Sequence, residues 1–246
     1  MKKVFFALIF VLSWVNFAYA NDDLKRYEDE CLSIVDKPKV KVSSSYGKLR
    51  YNFDKDSEFL KKETQRKFVE QGVEYPKGFE PMGLTQVRDG FEVKMNVATI
   101  GVSHNKVCLY PENIDVFWGY YLPVIYVANE LAEGTCLYDL TLRHEKVHFR
   151  IYIDALDYYL PKLKKMAESL FDKKGVMIVD KDKNLEFAAQ EYNEKYVGYI
   201  ENLVNKWRRE IEKEQMELDS IKNYMLETRI CAEVDGFVDN DEVEEW

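Results

Sequence analysis

Residues Cys136 to Phe149 read Cys-Leu-Tyr-Asp-Leu-Thr-Leu-Arg-His-Glu-Lys-Val-His-Phe, and within them His144, Glu145 and His148 form an H-E-x-x-H. On a helix, residues four apart lie one above the other on a single face. Both imidazoles can then reach one metal ion, with Glu145 beside it. Zinc takes such nitrogens at about 2.0–2.1 Å and in catalytic sites keeps one position open for water. A carboxylate next to that water can take its proton, so that hydroxide attacks a carbonyl the metal polarises. The chain has three histidines, and two of them stand in this motif. The plain alternative is a helix with two structural histidines; another is a metal-binding protein without turnover.

Working outward, Thr135 is the expected N-cap of the motif helix. The helix should run to about Leu160, where Pro161 kinks or interrupts it, with further helix through Leu170 before Asp172-Lys-Lys-Gly ends the pattern. Upstream, the β-branched run Leu122 to Glu130 predicts a strand feeding the helix through a short loop at Gly134. Pro38 to Phe53 alternates apolar and polar residues around Gly47 and predicts a two-stranded hairpin. Ser57 to Gln71 has helical spacing, Tyr75 to Gly83 is a loop, and Phe91 to Val97 and Lys106 to Tyr110 are strands. His104, between the last two, reads as a solvated turn residue.

Downstream, Val176 to Val179 fits a brief strand. Asp180 to Asn184 imitates a calcium loop, but position six is Leu185 where a glycine is needed, so a polar turn with a helix cap is expected. Asn184 to Ile230 is helical, with an apolar stripe at Leu185, Ala189, Tyr192, Tyr196, Tyr199, Leu203 and Trp207. Its length predicts a break. The expected fold is α+β: a mainly β region over 21–134 forming an N-terminal antiparallel sheet, a helical metal-binding region over 135–234, and an acidic tail over 235–246.

Two histidines leave zinc incomplete. If the motif helix and the long helix pair antiparallel, turning between about Phe171 and Asn184, the level of Lys146 falls near Arg209 on the returning helix. With a kink at Pro161 the window widens to Asn205–Tyr224. Glu210, Glu212, Glu214, Glu217 and Asp219 all lie in it, most of them suited to a solvated Glu/Lys face. Glu186 and Glu191 fall outside.

Met1 to Ala20 has the build of a secretory leader: Lys2 and Lys3, the apolar run Val4 to Val15, then Ala18-Tyr19-Ala20. The run is too short to span a bilayer comfortably, which takes ~20 residues. Cleavage predicts an exported protein, periplasmic or secreted, with no membrane anchor. Losing Lys2 and Lys3 would take the net charge from −9 down two units to −11. That acidity excludes nucleic acid as a partner, since phosphates are bound by Lys and Arg. The four cysteines Cys31, Cys108, Cys136 and Cys231 allow three pairings in an oxidising compartment. The expected one joins Cys108 to Cys136, tying a strand to the motif helix, and Cys31 to Cys231. Nothing in the sequence sets an oligomeric state.

The motif resembles that of the zincin metallopeptidases. With Cys136 and Tyr138 upstream of it, it is similar to a group of small secreted zinc-dependent proteases known mainly as a domain of unknown function. The likeness covers about Leu122 to Phe149 and, more weakly, Gln215 to Tyr224. It implies a zincin-like helical half, an edge strand near Leu122–Glu130 that takes an extended peptide, and Zn2+ held by His144, His148 and Asp219. It also implies Tyr224 as a ligand or as a hydrogen-bond donor to the developing oxyanion. The chain lacks a third downstream histidine and a Met-turn, which sets it apart from the metzincins. The expected function is a secreted zinc-dependent peptidase acting on a peptide or protein substrate, with Glu145 as general base. A non-catalytic zinc-binding or envelope interaction protein is the alternative.

Overall fold

The structure, a computed structural model, describes residues 22–70 and 72–234. The expected leader, Met1 to Ala20, and the acidic tail, 235–246, lie outside the described residues. In chain order the elements are α1 (22–34), β1 (Lys39–Ser43), β2 (Arg50–Asn52), α2 (Ser57–Glu70), β3 (Gly83–Gly101), β4 (Lys106–Val127), α3 (Cys136–Lys174), β5 (Met177–Asp180), α4 (Leu185–Leu218) and α5 (Ile221–Val234). The fold is α+β around one five-stranded sheet. The chain divides into two compact units, each assembled from three stretches: Met1–Val42, Glu92–Val116 and Pro161–Val204 in one; Ser43–Phe91, Phe117–Leu160 and Asn205–Trp246 in the other.

Every other strand of the sheet pairs with β4. The expected N-terminal antiparallel sheet is corrected in two places. β2 runs parallel to β4, with Arg50 opposite Val124 and Asn52 opposite Tyr126. That direction is open to it because α2 and β3 intervene and carry the chain back. β5, from the helical half, pairs antiparallel with Lys106–Leu109. Nor do β1 and β2 form a hairpin, since each bonds to β4. The connection at Gly47 lies over β4 instead, with Tyr120 N–H donating to Ser45 O at 2.6 Å. Gly47 has φ +68°, and a Cβ there would come within 2.5 Å of Pro123 Cδ.

In the first unit, Cys31, Val102 and Cys108 form a small core with Tyr27, Val35 and Ile178 against it. Asn184 caps α4 through a 3.1 Å bond from Phe187 N–H, as the polar-turn reading anticipates. The second unit packs Leu60 of α2 against Leu84 and Ala128, and Trp207 of α4 against Tyr159 and Trp118, with ring centroids 4.8 and 6.0 Å away.

The disulfides are Cys31–Cys108 and Cys136–Cys231, which corrects the expected pairing. Tying β4 to the motif helix was a plausible use of Cys108, but β4 is so long that its Cys108 end belongs with α1 in the first unit, while Cys136 belongs to the second.

α3 passes through Pro161 without interruption over its 39 residues. The ring forfeits only the bond to the Asp157 carbonyl. The long helix breaks, as its length predicts, between α4 and α5 at Asp219–Ser220. Ser220 Oγ accepts from Asn223 N–H at 3.4 Å as the cap of α5, and Asn223 Nδ2 donates to the Glu217 and Leu218 carbonyls that α4 leaves open.

Candidate metal centre

Thr135 caps α3, its Oγ1 accepting from Tyr138 N–H at 3.3 Å. From there the four-residue period stacks His144 and His148 on one face, ring centroids 4.7 Å apart. The buried stripe of α4 arrives against that face at Trp207, Ile211 and Gln215, and one more step of four reaches Asp219 at the helix break. His148 meets Gln215 and His144 meets Asp219, so four residues back on α3 match four forward on α4, the signature of antiparallel neighbours. Lys146 therefore sits level with Glu217, about two turns beyond the level predicted at Arg209.

Three atoms converge. His148 Nε2 lies 3.0 Å from His144 Nε2 and 2.8 Å from Asp219 Oδ1, which is itself 3.1 Å from His144 Nε2. Gln215 fixes the chemistry of His148. Its Nε2 donates to His148 O at 3.1 Å, so its Oε1 must be the atom that faces His148 Nδ1, at 2.5 Å. Nδ1 then carries the hydrogen and donates, leaving Nε2 of the neutral ring with a lone pair. The lone pair of His148 Nε2 thus faces Asp219 Oδ1 at 2.8 Å, an arrangement that requires a proton or a cation between them. Ligands at about 2.0–2.1 Å from a tetrahedral zinc stand roughly 3.3 Å apart. The observed 2.8–3.1 Å needs only a slight opening, and the donor set fits such an ion.

The ligand atoms of His144, Glu145 and His148 also lie within 4.8 Å of one another. Between Glu145 and Asp219 as third ligand, the contacts favour Asp219, because its one oxygen touches both imidazoles while Glu145 is tied to β3. Thr85 Oγ1 lies 2.8 Å from Glu145 Oε2 and 2.8 Å from Glu145 O. A hydroxyl has one hydrogen, so it donates to the carboxylate or, when the carboxyl is protonated, accepts from it and donates to the carbonyl. Gly83 makes room for this: a Cβ there would sit 2.5 Å from Glu145 Oε1 and 2.6 Å from its Cγ.

Glu145 is 5% exposed and His148 7%. Burial pushes the Glu145 carboxyl up, against the opposing pull of His148 and His144. Burial also works to raise Asp219, but hydrogen bonds and charge from the two imidazoles outweigh it and hold Asp219 well below the usual carboxylate range. His148 is raised in return: burial lowers it, and the Asp219 hydrogen bond and charge win. The site opens on a cavity of about 440 Å³. Lys67 of α2 lines it, donating from Nζ to Thr85 O at 2.8 Å. Burial pushes that ammonium down from the usual lysine range, while Glu145 and Asp219 pull the other way.

His144, Glu145, His148 and Asp219 are thus brought together. Tyr224 falls on α5, but its side chain lies outside the described residues. His104 is exposed in the turn between β3 and β4 and belongs to the other unit. The edge role expected for Leu122–Glu130 is filled in part by β2, which pairs with Val124 to Tyr126. Gln215, Thr85, Gly83 and Lys67 were not identified as site residues from the sequence, and of these only Gln215 carried a signal, its place one turn before Asp219. Replacing Gln215 by leucine is expected to weaken zinc binding by about 10- to 100-fold in a chelator competition, the usual effect of losing the partner that orients a ligand. Unchanged affinity would show that His148 holds its tautomer without it. Comparison with protein-family profiles, with curated proteins and with solved structures found no match for this chain.

Proposed function

We propose that this chain is an exported zinc-dependent peptidase of the zincin type. The observation that carries the reading is the convergence of His144, His148 and Asp219 on one point, with the buried carboxyl of Glu145 beside it at the wall of an open cavity. Two imidazoles and a carboxylate are a zinc donor set with room for a further ligand. A zinc ion there supplies Lewis acidity toward a water molecule and the scissile carbonyl oxygen.

Glu145 takes a proton from the attacking water and later delivers it to the leaving amine. Its raised pKa suits both halves of that task. Thr85 keeps the carboxyl aimed in either protonation state. β3 pairs with β4 on one side, and its first residues, Gly83 to Val87, border the cavity. An extended substrate backbone would lie along β3, in the manner of peptides that add to a sheet edge. The two disulfides and the leader-like start of the chain support export. Among the described residues, no helix is long and apolar enough to cross a membrane.

The test is metal analysis of the purified mature chain together with a peptide-library digest before and after chelation. About one zinc per chain is expected, with cleavage that stops on chelation and returns with zinc. Cleavage that persists after complete metal removal rejects the reading. Zinc uptake without any cleavage favours the binding-protein alternative.

A further inference from the structure

We infer that the open edge of β3 joins two copies of this chain, antiparallel about Val93, into one continuous sheet. β3 is a 19-residue strand, and β4 is its one neighbour in the sheet among the described residues. Its second edge therefore offers N–H and C=O groups to another strand. Near the start of the strand Lys67 covers part of that edge by donating to Thr85 O. From Phe91 to Val97 half-buried residues alternate with exposed Glu92, Lys94 and Asn96, the pattern of a regular strand with one face covered. The alternation is lost on either side, at Arg88–Asp89 and at Val97–Ala98, which confines the pairing to about this stretch and leaves Gly83–Val87 open beside the cavity.

Charge decides the occupant and the register. Glu92 and Lys94 are both exposed and stand on one face, Oε1 and Nζ 3.0 Å apart. Directly opposite residues of an antiparallel pair share a face, and a two-fold pair is defined by the residue that meets its own copy. With Val93 at the centre, Glu92 of each copy lies opposite Lys94 of the other. Every one of these charges then has the opposite sign beside it, both along its own strand and across the pair. Centring on Glu92 or on Lys94 brings like charges together, and centring on Phe91 sets Lys94 against Arg88. Centring on Met95 sets Lys94 against Asn96 and forms no ion pair. On the covered face the Val93 register places Val93 against Val93 and Phe91 against Met95, all partly buried. Edge strands ordinarily resist self-pairing by carrying charge, Lys above all. β3 instead carries a self-complementary pair, and its run from Phe91 to Val97 is neutral in a chain of net charge −9.

The test is sedimentation equilibrium of the full mature chain over a range of concentrations, which does not depend on whether the metal centre turns over. Wild type should form a dimer. Glu92→Lys and Lys94→Glu each set like charges across the axis and should weaken self-association about tenfold or more, with circular dichroism unchanged because both positions are exposed. The double variant Glu92→Lys/Lys94→Glu exchanges the two signs, restores both pairs and should dimerise as wild type does. The two single variants, each repelling its own kind, should form a mixed dimer when combined, and added salt should shrink these differences. A wild type that stays monomeric throughout overturns the inference. So does a dimer indifferent to either single reversal, or a double variant and a mixture that both fail to recover association.

Discussion

Glu145→Gln protein is expected to take up zinc as the wild type does and to cleave peptides about a thousandfold more slowly. Glutamine has the shape of the carboxylate and can keep its contacts with Thr85, so neither the helix nor the His144–His148–Asp219 cluster should be disturbed. What it lacks is an oxygen that can accept and return a proton, and general acid–base catalysis contributes about 10²- to 10⁴-fold. Glu145 is buried, so another group cannot easily take its place, and the expected loss is set near the middle of that range. The measurement is a single-turnover assay on a substrate found in the library digest, paired with zinc analysis of the same preparation. Cleavage at the wild-type rate with full zinc would remove Glu145 from the mechanism.

The second large effect concerns the covalent tie at the start of the motif helix. Cys136 opens α3 eight residues before His144, and Cys231 lies on α5, twelve residues beyond Asp219. Their bond closes a loop of sequence separation 95, and removing a cross-link of that size costs about 4–5 kcal/mol of stability through the freedom returned to the unfolded chain. For a chain of this length the melting temperature should fall by about 10 °C or more. Removing Cys31–Cys108, with separation 77, should cost nearly the same, because loop entropy grows only logarithmically. The two Cys→Ala double variants should differ in zinc. Cys136–Cys231 brackets the ligands within their own unit, so its loss should weaken zinc binding, whereas the loss of Cys31–Cys108 should leave affinity intact. Calorimetry and chelator competition on both variants provide the check. Equal zinc affinity in the two would show that the ligand geometry is held by packing alone.

The H-E-x-x-H was legible because a helix has one period, and four residues apart means one face whatever the rest of the fold does. The antiparallel return of α4 was legible in outline, since two helical runs joined by a short connection pack side by side. Its register was not: β5 occupies the connection, α3 runs unbroken through Pro161, and the level of the site moved from Arg209 to Glu217. The stripe on α4 was misplaced by one residue in several turns. Ala188, Ile200 and Val204 are buried, whereas Tyr199 stands half exposed, because a tyrosine can keep its hydroxyl in water. Strand β4 reads from the sequence as two pieces, Lys106 to Tyr110 and Leu122 to Glu130, although between them Ile114, Val116, Trp118 and Tyr120 alternate and are all buried.

By itself, then, the sequence determined that two imidazoles and a carboxyl share one helical turn, that the fold is α+β, and that the long C-terminal helical run must break. Local period and chain length are enough for those. Which strands pair, which cysteines join, and that Asp219, Gln215, Thr85 and Lys67 meet around His144 and His148 were decided only by tertiary structure. Most of these contacts link residues 60 to 95 positions apart, and no local periodicity encodes the register at which distant elements come together.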